Sequence, residues 1–167
     1  MEEIAFNWPY FVRWLHVVAG ILWVGLLWYF NFVQIPAMPG IPDEHKPGVS
    51  KHIAPRALFF FRWAALATIV FGLLLAWQYN YIADALSLSV GEGHRNITLL
   101  GIGMWLGIIM MLNVWLVIWP KQKVALGLVE ASAEARPKAA RVAMLVSRTN
   151  FVLSFPMLYC MVGYQNL

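Results

Sequence analysis

The chain has 167 residues, of which 61% are hydrophobic and only 12% charged, with a formal net charge of +4 and a mean hydropathy of +0.66. A soluble domain of this length carries roughly a quarter charged residues, so the composition excludes an ordinary soluble enzyme and points to a membrane. The single cysteine, Cys160, excludes an internal disulfide, a CxxCH haem attachment and a cysteine-based zinc site.

Taken in chain order, four stretches are long enough to cross a bilayer, which requires about 20 apolar residues. "WLHVVAGILWVGLLWYFNFV" (14–33) contains one titratable group, His16. It is too long for the apolar core of a signal peptide, acidic residues precede it and no small-residue cleavage site follows, so it reads as a retained helix. "WAALATIVFGLLLAWQYNYIA" (63–83) and "NITLLGIGMWLGIIMMLNVWLVIW" (96–119) contain no formal charge, and "VAMLVSRTNFVLSFPMLYCMVGY" (142–164) contains only Arg148. The expectation is an all-α integral membrane protein, a four-helix transmembrane bundle in one domain covering 1–167, with spans about 10–35, 57–83, 96–119 and 142–164.

The connectors complete this picture. Residues 36–56 hold five prolines and two glycines and read as a loop. The third connector, "PKQKVALGLVEASAEARPKAAR" (120–141), opens with Pro120 as a helix stop and contains a short alanine-rich piece broken near Pro137. Loops one and three carry eight lysines and arginines, against Arg95 and a snorkelling Arg13 on the other side. This bias places those loops in the cytoplasm and both termini outside, and explains the basic pI near 9.4 without nucleic acid as a partner.

Ionisable and amide side chains form two expected layers. On the first helix Arg13, His16 and Gly20 follow i, i+3, i+7 spacing and share one face, which is expected to point into the bundle because charge toward lipid is costly. His16 is a candidate haem b ligand or proton carrier, or a structural histidine bonded to a carbonyl. A second axial ligand is the difficulty, since His45 and His52 lie on the opposite side. His94 reaches only if "GEGHRN" folds back, and a five-coordinate or methionine-ligated haem also stays open. No metal is expected beyond that iron.

Near the inner surface Asn31, Arg62, Asn113, Arg148 and Asn150 fall at one depth, roughly 10 Å in by the helical rise. Two arginines without a carboxylate suggest an anion, a lipid phosphate, or snorkelling to the headgroups. Asparagines that fasten helices are the plainer alternative. Ser147, Asn150 and Ser154 share a face and are expected to bond across to a neighbour. Methionines 104, 110, 111, 157 and 161 read as packing residues. Pro156 is expected to kink the last helix and free a carbonyl.

"RWLHVVAGILWVGLLWYFNFVQIP" (13–36), "ALFFFRWAALAT" (57–68), "NVWLVIWPKQK" (113–123) and "SRTNFVLSFPML" (147–158) resemble, in order, the N-terminal membrane domain of the membrane-bound urate oxidase (urate hydroxylase) family. The resemblance puts Arg13, His16, Asn31, Arg62, Asn113, Trp115, Pro120, Gln122, Arg148, Asn150 and Pro156 at motif positions. Family members have a larger membrane domain and a C-terminal cytochrome c that takes electrons from urate oxidation. The first helix alone also resembles other small haem-b or copper-handling membrane proteins, more loosely. With no CxxCH in the chain, electrons from any oxidation would leave through a separate cytochrome c or quinone.

The resemblance therefore implies a bacterial inner-membrane protein in a redox setting. The leading expectation is an accessory subunit of a membrane redox or respiratory, energy-converting complex, with lipid and other membrane subunits or a cytochrome c as partners. The alternative is a haem-b-dependent enzyme oxidising a small molecule such as urate. A small transporter is weaker, because no acidic residue lies within a span to couple ions.

Overall fold

The computed structural model describes residues 7–88 and 95–164, with Arg95 described in its backbone only. Among these residues there are helices and turns and no strand. Four helical runs are long and apolar enough to span a membrane: α1 (Trp8–Gly40), α2 (Lys46–Gln78), α4 (Asn96–Ala125) and α5 (Ala135–Gly163). A short helix, α3 (Ile82–Leu86), follows α2. The chain is a multi-pass membrane protein.

Local chemistry sets the helix ends. Asn7 caps α1 by accepting the Tyr10 N–H at 3.0 Å, and Pro9 sits in the first turn, where no N–H is required. α4 ends in a paired reverse bond, Leu128 N to Lys123 O at 2.9 Å and Gly127 N to Val124 O at 3.1 Å. This motif needs a left-handed residue, and Gly127 takes φ of 70°.

The helices run further than their prolines predict. Pro36 and Pro120 are not stops, and the expected loop at 36–56 shrinks to residues 41–45. Three π turns, Phe30–Gln34, Val49–Ile53 and Asn113–Ile118, each end two residues before a proline, at Pro36, Pro55 and Pro120. A proline in a helix lacks a donor and its ring collides with the carbonyl four residues back. The residue before each proline instead donates five residues back: Ile35 to Phe30, Ala54 to Val49 and Trp119 to Val114. The wider turn moves the offending carbonyl aside, and the helix continues. Pro137 breaks nothing either, because it lies in the first turn of α5.

α1 packs along α2, and α4 along α5, as two antiparallel hairpins; α2 against α4 and α1 against α5 join the hairpins less extensively. Contacts between Tyr81 and Tyr164, and between Arg13 and Tyr79, place both ends of the described chain at the same end of the bundle. The core is built from Trp23, Leu27, Phe61, Ala65, Met110 and Val114. A second cluster of Ala76, Ala85, Leu100 and Met104 lies under α3. At Gly103 an added Cβ would stand 2.9 Å from the Cβ of Cys160, so the α4–α5 approach there depends on the missing side chain. Cys160 itself is buried in that contact. The outer faces carry exposed Ile21, Leu116, Val152 and Tyr159, as a lipid-facing surface should.

Candidate functional site

Halfway between the hairpins lies a cavity of about 50 Å³, lined by His16 and Trp23 of α1, Gly72 of α2, and Met104, Met157 and Met161 of α4 and α5. Its volume suits water-sized molecules. His16 is its one titratable lining residue among those described. The imidazole Nδ1 lies 2.8 Å from the Thr68 carbonyl oxygen. A carbonyl only accepts, so Nδ1 carries the proton and donates, and in the neutral ring the lone pair is left on Nε2.

Gly72 makes this geometry available. A Cβ there would stand 2.9 Å from His16 Cε1 and 3.2 Å from Nδ1, so the glycine opens the notch through which the ring reaches the α2 backbone. The Thr68 hydroxyl turns away to bond the Ala64 carbonyl at 2.7 Å, leaving its own carbonyl to the histidine. Gly20 sits on the same face, where its added Cβ would meet Thr68 Cγ2 at 3.8 Å, an ordinary contact. The critical glycine is therefore Gly72, one turn beyond Thr68 on α2. Trp23 is 1% exposed, and its buried indole N–H has no hydrogen-bond partner among the described residues. His16 and Trp23 line the same small apolar space.

Arg13 is not part of this cavity. It is exposed, and its Cζ stands 5.4 Å from the centre of the Tyr79 ring at the end of the bundle where the described chain begins and ends. Tyr81, in the turn after α2, is pushed up to about 12 chiefly by burial and then by Tyr164. It stays a neutral phenol beside that cation. His94 lies outside the described residues.

The five side chains expected to share one slab separate into distinct roles. Asn113 donates to Asn150 Oδ1 at 2.8 Å, and Asn150 donates to the Met110 carbonyl at 2.8 Å, tying α5 to α4. Asn31 donates to its own helix at Leu27 O (2.8 Å) and across to Ser147 Oγ at 3.1 Å. Trp28 donates to Ser154 Oγ at 3.0 Å, a second tie between α1 and α5. Arg62 instead stacks on Trp119 with Cζ 3.9 Å from the ring centre, flanked by Phe59 and Trp115. Its carbonyl accepts the Trp115 indole N–H at 3.1 Å.

Arg148 is exposed, and no hydrogen bond or ion pair joins it to another described residue. The reason is angular. Ser147, Asn150 and Ser154 point inward at i, i+3, i+7, and Arg148, two residues from Asn150, is turned about 200° from it. The arginines therefore do not form a joint anion site with the asparagines. Thr68, Gly72, Trp23 and Trp28 were not singled out from the sequence, since a backbone acceptor and a missing side chain leave no motif.

The His16 notch makes a clear prediction. Gly72→Ala should destabilise the protein by about 1–3 kcal/mol, the usual cost of overpacking, read as a lower unfolding temperature in detergent. Adding His16→Ala should recover part of that loss, because the clash is with the imidazole. Equal losses that simply add would remove the contact from the account.

The comparisons with known proteins follow this division of the molecule. Residues 94–165 match the family described as urate oxidase N-terminal, a stretch that holds α4 and α5 with Asn113, Trp115, Arg148 and Asn150. No curated protein and no solved structure matches the chain. The α4–α5 hairpin is thus the part of the chain that is similar to the urate oxidase N-terminal family.

Proposed function

We propose that this protein is an accessory helical subunit of a redox or respiratory complex in a bacterial inner membrane. The observation that carries this proposal is the use of its intramembrane polar groups. Asn113, Asn150, Asn31, Ser147, Trp28 and Ser154 are bonded between helices or to the backbone. A transporter needs such groups facing a path, whereas a scaffold uses them as fasteners. The family relationship supports the redox setting. Urate as a substrate, and a cytochrome c or quinone as electron acceptor, have that relationship alone behind them.

The runner-up is a haem-b-dependent enzyme that oxidises a small molecule such as urate, with His16 as ligand. One observation favours it: a ligating histidine characteristically donates its other N–H to a carbonyl, as His16 Nδ1 does to Thr68. The methionines lining the cavity would add a second type of ligand. The space does not fit, because about 50 Å³ accommodates no porphyrin without parting α2 from α4. No step is therefore assigned to haem.

Two measurements test the proposal. Tagged protein, purified gently from its own membranes, should migrate with larger redox subunits, while the isolated chain shows no Soret band. A Soret band on the isolated chain that His16→Ala abolishes would establish the haem enzyme instead. For orientation, the basic bias supports residues 41–45 and 126–134 in the cytoplasm. With native Cys160 buried, Asp43→Cys should react with an impermeant maleimide in inverted vesicles and stay unlabelled in intact cells. The opposite pattern would reverse the topology.

A further inference from the structure

The first turns of α2 carry a feature that the scaffold role leaves unused. Lys51, His52 and Arg56 line an open groove of about 680 Å³, whose remaining walls are Ile53, Ala57 and Phe60. Positions 52, 53, 56, 57 and 60 follow one face of a helix. The π turn Val49–Ile53 swings Lys51 toward that face; in a regular α-helix a residue five before Arg56 would stand well to one side.

The face is graded along its length. Its connector end is cationic, and no carboxylate among the described residues pairs with Lys51, His52 or Arg56: in this region Asp43 pairs with Lys46, and Glu44 lies 3.5 Å from the His45 ring. Ile53, 51% exposed, lies among these cations, and beyond Arg56 the face becomes apolar, with Phe60 54% exposed and continuous with exposed Phe59 and Trp63.

We propose that this groove binds one anionic phospholipid. Its phosphate lies between Lys51 and Arg56, and its acyl chain runs over Ala57 and Phe60. The charge order matches such a lipid from head to tail. The guanidinium offers paired donors to phosphate oxygens, and the lysine adds a point charge. A free anion would satisfy the cations and leave the apolar floor bare. A zwitterionic lipid would cover the floor without a net charge to balance the cations. This site is independent of the redox assignment, since it uses neither His16 nor the helix-fastening groups.

The test is native mass spectrometry of the whole chain, released from detergent with phosphatidylglycerol or phosphatidylcholine, in the presence and absence of inorganic phosphate. The wild type should retain phosphatidylglycerol preferentially. K51Q/R56Q should weaken its binding about thirtyfold. K121Q/K138Q, which removes the same charge from exposed lysines at the other connector, should leave it unchanged. Equal weakening in both double variants, or equal retention of both lipids, would overturn the site. Displacement of the lipid by millimolar phosphate would assign it to a free anion and overturn the lipid.

Discussion

Asn150 has no exposed surface, and both ends of its side-chain amide are engaged with α4: the oxygen accepts from Asn113 and the nitrogen donates to the Met110 carbonyl. In lipid a polar group has no water to fall back on, so an amide at this depth holds a partner or opposes folding. The same constraint explains the other ties between spanning helices. His16 to Thr68 ties α1 to α2, Trp28 and Asn31 tie α1 to α5, and Trp115 ties α4 to the Arg62 carbonyl on α2. Each pair of packed spanning helices thus has at least one side-chain hydrogen bond across it, while apolar packing fills the space between. Hydrophobic burial alone could not select these contacts, because lipid tails are as apolar as the core.

Three prolines are accommodated by the same logic. Each removes a donor inside a long helix, and each is preceded by a π turn whose five-residue hydrogen bond carries the chain past it. Two of these turns have a side chain used elsewhere at their start. Asn113 opens the turn before Pro120 and meets Asn150, while Asn31 lies in the turn before Pro36 and meets Ser147. The third shapes the basic groove on α2. The wide turns therefore set where polar groups project as well as how the helices continue.

Much of this fold was legible in the sequence, for physical reasons. Four apolar runs of spanning length allow little besides a helical bundle, and the depth of Asn113 and Asn150 marked them as neighbours. Helix lengths were not legible, because Pro36 and Pro120 read as stops when nothing in the sequence announces a π turn. Depth also carries no angle, which is why Arg148 was grouped with Asn150 although the two project in nearly opposite directions. Arg62 went astray differently: the cation is held by the faces of Trp119, Trp115 and Phe59, an alternative to a counter-ion that spacing does not reveal. His16 was legible as the residue needing a partner. The partner was not, since it is a main-chain carbonyl exposed by a glycine.

The claim on which the rest depends is that the buried amides fasten helices. A double-mutant cycle on Asn113 and Asn150 tests it most directly, using Asn113→Ala, Asn150→Ala and both together, with unfolding free energy measured in detergent. A fastening pair predicts a coupling of about 0.6–2 kcal/mol, the range of interhelical hydrogen bonds. It also predicts that Arg148→Ala, exposed two residues from Asn150, changes stability little. Additive losses at the two asparagines, with no coupling between them, would contradict the account.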